Sequence, residues 1–258
     1  MPRKLGQHFL EDKEALEKIA AGLEIKKTDI VIEIGPGHGE LTNHLVEYHP
    51  KKIIAIEKDK YLAEALPRNL SSLSTNTEFK IINADVLKAL PSLRLRRYKL
   101  IGNIPFYITG RLLRVLSELK NKPEIIVLTI QKEVAERITA QPPRMNLLAA
   151  ITQFWTDSEI IGFIPRQNFS PPPEVDSAII RLFPKKTKNP DQYYRLVKIL
   201  FKQPRKTILN NLLAISKNHE ERTMEELKKA GLVPSSRPQN LNMKMIILLA
   251  SLLKNDIL

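Results

Sequence analysis

Three glycines at alternate positions, Gly35, Gly37 and Gly39, lie in the run Glu33-Ile34-Gly35-Pro36-Gly37-His38-Gly39-Glu40-Leu41-Thr42. An apolar, β-rich stretch leads into this run and a helical pattern leads out of it. Glycine lets a backbone turn tightly and approach a ligand closely, and the N–H groups of the helix start face the same point. The spacing is G-x-G-x-G, not the G-x-G-x-x-G of a dinucleotide pyrophosphate site. Alone, such a turn is weak evidence. Glu57 ends the next apolar run, where a carboxylate can accept hydrogen bonds from both hydroxyls of a ribose. Asp85 follows the third run, where it can accept from an adenine amino group, and Asn103 follows the fourth. Each carboxylate taken singly reads as a cap or a surface charge. In this order, at the carboxyl ends of successive strands, they describe a site for a nucleoside cofactor.

The elements that must position these residues follow from hydrophobic periodicity. Strands are predicted over 30–34, 53–57, 78–82, 99–101, 125–130, 160–164 and 177–182. Helical patterns fill the intervals at 41–48, 61–70, 110–119 and 132–139. The alternation predicts βαβ units around a mostly parallel sheet, an α/β fold. Residues 185–190, KKTKNP, read as a polar linker. Beyond it only helices are predicted, over 193–201, 205–215, 223–230 and 243–253. The expected division is therefore 1–184, carrying the nucleoside site, and 185–258, a small all-helical domain.

With 258 residues and 43% hydrophobic side chains, the chain has enough material for one medium domain, an appendage and a real core. Lysine and arginine outnumber the acids 41 to 28, a formal charge of +13. Residues 185–258 hold 15 of those cations against 6 acids, whereas the first 184 hold 26 against 22. Such an excess on a small helical segment points to a polyanionic partner, of which nucleic acid is the commonest. Cysteine is absent, which excludes a disulfide scaffold, a thiolate zinc site and a thiol nucleophile. No metal is expected. The longest apolar stretch, residues 245–253, falls far short of the ~18–20 needed to span a membrane. The N-terminus has no secretory pattern. No membrane association is expected, and the chain reads as cytoplasmic.

At Gly102-Asn103-Ile104-Pro105-Phe106 the sequence resembles the rRNA adenine N6-dimethyltransferase family. That family includes small-subunit enzymes of the KsgA type and large-subunit, macrolide-resistance enzymes of the Erm type. The likeness also rests on Gly6-Gln7-His8-Phe9-Leu10, on the Glu33 to Thr42 loop, and on Phe169-Ser170-Pro171-Pro172-Pro173-Glu174-Val175-Asp176-Ser177-Ala178. Gln131-Lys132-Glu133-Val134-Ala135-Glu136-Arg137 and Arg205-Lys206-Thr207-Ile208-Leu209-Asn210-Asn211-Leu212 extend it over nearly the whole chain. The resemblance implies a Rossmann-like domain using S-adenosyl-L-methionine, followed by a helical RNA-binding domain. It implies cofactor contacts from His8, Leu10, Gly35, Glu57, Asp85 and Asn103, with Gly37 in the same loop; Arg205 and Lys206 are the candidate RNA contacts of the basic helical segment. Without it, residues 7–10 would read as a segment that caps and covers the sheet.

The implied chemistry suits the residues. An adenine N6 is a poor nucleophile because its lone pair is delocalised into the ring. Acceptors aimed at its two hydrogens, the Asn103 side-chain oxygen and the Ile104 carbonyl, would help it become tetrahedral. Pro105 biases Ile104 toward an extended backbone and so fixes where that carbonyl points. Phe106 offers a face to a base that must leave its stack to be reached. Phe169 is a candidate second ring, and reads nearly as well as a core phenylalanine beside a Pro-rich turn. Methylation at pyrimidine C5 ordinarily needs a cysteine, whereas amino-group methylation does not.

The chain departs from the family at several points. Phe106 replaces a tyrosine of the KsgA branch, Tyr107 stands where asparagine is usual, and Glu174 replaces a usual lysine. His8 occupies a position that is often asparagine, and the segment 141–146 is shorter than the family's loop. Residues 169–178 and Gln203-Pro204-Arg205-Lys206-Thr207 look closer to the KsgA type. The expected activity is dimethylation of two adjacent adenines in 16S rRNA, by a monomer acting on a 30S assembly intermediate. The rivals are an Erm-type 23S rRNA methyltransferase and a non-catalytic RNA-binding assembly factor.

Overall fold

A computed structural model of the chain describes residues 8–70, 76–215 and 220–253. Gly6 and Gln7 of the first motif lie outside the described residues. In chain order the elements are β1 (Phe9–Leu10), α1 (Lys13–Gly22), β2 (Ile30–Ile34), α2 (Glu40–Glu47), β3 (Lys52–Glu57) and α3 (Lys60–Asn69). Next come β4 (Glu78–Asn83), α4 (Val86–Ala89), β5 (Lys99–Asn103), α5 (Thr109–Glu118), β6 (Ile126–Gln131) and α6 (Lys132–Thr139). They are followed by α7 (Leu147–Trp155), β7 (Thr156–Ile164), β8 (Phe169–Ser170) and β9 (Ser177–Pro184). The last helices among the described residues are α8 (Pro190–Leu200), α9 (Ile208–Leu213), α10 (Glu220–Lys229) and α11 (Met243–Leu252).

Among the described residues seven strands form one sheet in the order β4-β3-β2-β5-β6-β9-β7. Strands β4, β3, β2, β5 and β6 pair in parallel, and β9 joins β6 antiparallel. The central strands are near-continuous β-branched runs, as a parallel sheet covered on both faces requires. In β6, for example, Ile126, Val127, Leu128 and Ile130 are all fully buried. The order reverses beside β2: the chain proceeds to β3 and β4, then returns to lay β5 on the other flank. Open sheets of this kind bind ligands at that switch point, outside the carboxyl ends of the strands. Register places the ends side by side, with Ile34 opposite both Ile56 and Gly102, and Glu57 opposite Asn83.

A separate two-stranded ribbon has no counterpart in the sequence prediction. β1 pairs antiparallel with β8, setting Phe9 against Ser170 and Leu10 against Phe169. Two-residue strands carry no periodicity to read, and their partners are about 160 residues apart.

The division into domains differs from the expected one. The two compact units are Met1–Ala135 with Ser158–Pro184, and Glu136–Asp157 with Lys185–Leu258. The boundary is therefore not a linear break after Pro184: α7, which lies outside the predicted helices, belongs to the helical unit. The reason is its apolar run. Ala149, Ala150 and Phe154 share one core with Tyr193, Leu196 and Leu200, and Phe154 stacks on Tyr193 at 3.8 Å and 5°. The Tyr193 hydroxyl donates to the Ala150 carbonyl at 2.8 Å. Asn146, from the short 141–146 segment, caps the helix by accepting from the Ala149 N–H.

A second correction concerns Arg205 and Lys206. They were expected inside a helix over 205–215, but α9 begins at Ile208, with Thr207 as its cap accepting from the Asn210 N–H at 3.1 Å. A threonine oxygen there satisfies a helix-start N–H, so the helix begins after it.

Candidate active site

One cavity of about 370 Å3 lies in the sheet unit, within the ~300–1,000 Å3 typical of small-molecule sites. It opens at the carboxyl ends of β2, β3, β4 and β5. The nucleoside-site residues and the Asn103 to Phe106 segment line the same space.

On the β2 side the backbone of the glycine turn forms the wall. Gly35 and Gly37 both hold φ near +63°, a conformation that L side chains rarely adopt. A Cβ on Gly37 would also sit 3.0 Å from the Phe9 ring. Glu57, at the end of β3, is nearly buried and fixed from both sides. Its Oε1 accepts from the Asp59 N–H at 2.8 Å and its Oε2 from the Gly37 N–H at 3.3 Å. Burial pushes the Glu57 carboxyl up from its ordinary range, while the N–H groups of Asp59, Gly37 and Lys58 pull it down again.

Asp85 follows β4 and caps α4, its Oδ1 accepting from the Leu87 N–H at 3.0 Å. Its Oδ2 accepts from the Lys58 ammonium at 3.0 Å. Burial is the largest single influence and raises this carboxyl, but the hydrogen bonds from Lys58 and the Leu87 N–H and the charges of Lys58 and Lys88 together outweigh it and hold it below the usual carboxylate range. Lys58 escaped the sequence reading, because a lysine after an acidic strand end carries no signal of its own.

On the β5 side Asn103 is oriented from outside the strand. Its Nδ2 donates to the His8 carbonyl at 3.1 Å, so Oδ1 is the amide atom left to accept. That bond also settles which way the amide points, since reversal would set two oxygens together. His8 is held in turn by a 2.6 Å hydrogen bond between its Nδ1 and the Pro171 carbonyl. Its ring lies 6.3 Å from the Phe106 ring at 28°. Ile104 is buried, and Pro105 and Phe106 are half-buried on the cavity wall. Leu10 and Phe169, neighbours through the β1–β8 ribbon, line the cavity from the core side. Phe169 is only 3% exposed and packs in the core with Leu16 and Leu41. Phe169 is thus a core phenylalanine that also lines the cavity.

Beneath the glycine turn lies a group the sequence reading gave no role. Glu33 is 1% exposed. Its Oε2 accepts from the Thr42 hydroxyl at 2.7 Å, while its buried Oε1 has no hydrogen-bond partner among the described residues. Burial pushes its pKa up to about 8, against the lowering effect of Thr42 and with further upward pressure from Glu40 and Glu57. It is a neutral strut tying β2 to α2.

Two carboxylates, a glycine-lined backbone wall and an amide acceptor suit a nucleoside with a charged tail. The whole chain bears this out by comparison. Residues 1–250 match the family model described as ribosomal RNA adenine dimethylase. The chain belongs to that family. Relatives include "Ribosomal RNA small subunit methyltransferase A" of Dehalococcoides mccartyi, 37% identical over 93% of this chain and 84% of that protein. The protein of the same name from Clostridioides difficile is 33% identical over 99% and 91%. Among solved structures, a dimethyladenosine transferase from Plasmodium falciparum matches with a TM-score of 0.81 and 26% identity, over 94% of this chain and 96% of that one. The 23S rRNA methyltransferase ErmE matches with a TM-score of 0.78 and 26% identity, over 95% and 98%. The dimethylase is thus an enzyme with a Rossmann-like domain, a helical C-terminal region and S-adenosylmethionine as its methyl donor.

Arg205 and Lys206 lie in the helical unit, so the residues singled out from sequence fall in two places. Both are exposed on the turn before α9. The turn is pinned by Asn211, a buried side chain that donates to the carbonyls of Gln203 and Thr207 at 3.1 and 3.0 Å. Asn211 also accepts from the Gln203 N–H. No helix among the described residues is long and apolar enough to cross a membrane.

Proposed function

We propose that the dimethylase converts two adjacent adenines of small-subunit ribosomal RNA to N6,N6-dimethyladenine, four methyl groups per RNA. The observation that carries this reading is the pinned Asn103 amide. Its oxygen is presented as an acceptor beside Phe106, in the same cavity as Glu57 and Asp85.

When bound, S-adenosylmethionine supplies a sulfonium-activated methyl group whose leaving group is neutral. Glu57 accepts from the ribose hydroxyls, Asp85 from the cofactor's adenine amino group, and the Gly35 to Gly37 backbone bounds the remainder. His8 and Leu10 close the same space from the β1 ribbon. The target adenine enters beside Phe106, which replaces part of the stacking lost when the base leaves its strand, ~1–3 kcal/mol. Asn103 Oδ1 and the Ile104 carbonyl accept from the two N6 hydrogens and draw the nitrogen toward tetrahedral geometry. Positioning therefore supplies much of the acceleration, and no strong base is needed. Phe169 backs the base from the core side.

The substrate assignment is supported by relatives named for the small subunit at 33–38% identity. The ErmE likeness is lower in identity. Arg205 and Lys206 contact phosphates, which hold shaped RNA without reading its bases. The protein acts as a monomer in the cytoplasm, on a partly assembled 30S particle that presents the adenines unpaired. Tritiated-methyl transfer to 30S precursors, 50S precursors and protein-free 16S and 23S RNA, with the modified position mapped, tests this. Label at two neighbouring adenines of 30S precursors is expected. Preference for 23S RNA with label at a single adenine would replace this reading with the Erm-type one.

A further inference from the structure

The cavity has a rim that the reaction described above does not use. Tyr107 follows Phe106 in a single 3-10 turn, Phe106–Ile108, and the residue is 52% exposed while lining the cavity. Arg111, in the first turn of α5, is also exposed and lines the same cavity. The Lys58 ammonium, 66% exposed, is within electrostatic reach of both. A lone exposed tyrosine is ordinary surface. This one stands at the mouth of a base-sized site, one residue from the ring that faces the target, with two cations close by.

An aromatic face interleaved with cations is how proteins hold single-stranded nucleic acid. The mouth of this site has a particular need for one. When an adenine turns into the cavity, the base beside it loses a stacking partner, and a flat ring at the rim can replace it. The backbone between the two nucleotides must then pass the same rim, carrying a phosphate.

We propose that Tyr107 and Arg111 form a subsite for the nucleotide next to the target adenine, the ring stacking on its base and the guanidinium meeting its phosphate. Lys58 contributes field rather than contact, because Asp85 already holds its ammonium. The subsite rests on the RNA-methylating function proposed above. It requires only an unpaired neighbour, so it accepts any base.

The test separates RNA from cofactor. Kinetics on 30S precursor particles are compared for the wild type, Tyr107→Ala, Tyr107→Phe and Arg111→Ala, with S-adenosylhomocysteine affinity measured by calorimetry. Tyr107→Ala should raise KM for RNA about 5- to 150-fold, the equivalent of ~1–3 kcal/mol per stacked base. Its kcat and cofactor affinity should hold, and Tyr107→Phe should behave as wild type. Arg111→Ala should weaken RNA binding and make its log–log salt slope shallower by about one. An unchanged KM for Tyr107→Ala, or a loss confined to cofactor affinity, would overturn the proposal. If the wild type leaves 30S precursors unlabelled, it is the substrate reading that fails. The subsite is then judged on single-stranded RNA carrying 2-aminopurine beside a lone adenine. There Tyr107→Phe must keep, and Tyr107→Ala must lose, the quenching seen with the wild type.

Discussion

In the sheet unit the polar groups facing the cavity are themselves held. The His8 carbonyl fixes the Asn103 amide, two N–H groups fix the Glu57 carboxylate, and Lys58 with the Leu87 N–H fixes Asp85. In the helical unit the arrangement is the opposite. Asn211 fixes the backbone of a turn, and the cations on that turn, Arg205 and Lys206, stand exposed. The difference is the one the two proposed roles would require. Methyl transfer needs reacting atoms held close and aligned, and small misplacements are expensive in rate. Phosphates are attracted through space by mobile charges, so the protein need only present those charges on a stable surface.

Four variants would break or sharpen that contrast. The largest effect is expected from Phe154→Ala, which removes a nearly buried ring stacked on Tyr193. It should destabilise the helical core by about 3–5 kcal/mol, seen as a lower unfolding temperature. Cofactor affinity at low temperature should be kept, and an equal loss of that affinity would break the division of labour. Asn103→Ala should lower the single-turnover rate at saturating cofactor about 10²–10³-fold, by analogy with the loss of one preorganised hydrogen-bonding group. A near-normal rate would remove Asn103 from the chemistry.

Glu33→Gln tests the strut under the glycine turn. A carboxyl whose folded pKa is raised from 4.5 to about 8 contributes stability that is complete below its unfolded value and lost as pH rises through 8. The stability of the wild type relative to the glutamine variant should therefore fall between about pH 5 and 8, by up to ~1.4 kcal/mol per pH unit. Above that it should level off. Thermal unfolding across this range would show a flat difference if Glu33 ionised normally. The smallest effect is on rate: replacing Arg205 and Lys206 together by alanine should leave kcat unchanged at saturating RNA. The log–log salt slope of RNA binding should become shallower by roughly 1.4–1.8, about 0.7–0.9 per lost phosphate contact. An unchanged slope would take the turn out of the interface.

Much of this was legible in one dimension. The strand at Ile30–Ile34 and the helix at Lys132–Thr139 have the bounds their periodicity predicts. Gly35, Glu57, Asp85 and Asn103 could be placed together because a parallel sheet aligns the carboxyl ends of its strands. Local rules also had limits. The helix over 205–215 was drawn too long because Thr207 caps where hydrophobic spacing alone would continue. Lys58 and Glu33 were overlooked because their meaning comes from partners at Asp85 and Thr42, not from their neighbours in sequence.

Order along the chain, periodicity and residue chemistry thus determined the α/β class and where a nucleoside site should lie, while the family was legible only through the resemblance of its motifs. Tertiary structure alone decided the rest: that His8 meets Asn103 across 95 residues, that β1 finds β8, and that α7 joins the helical core. It also decided that Phe169 is a core residue that lines the cavity. Each is a contact between distant segments whose own patterns are too short or too ambiguous to name a partner. Burial and hydrogen-bond satisfaction choose among the alternatives only once the whole chain has closed on itself.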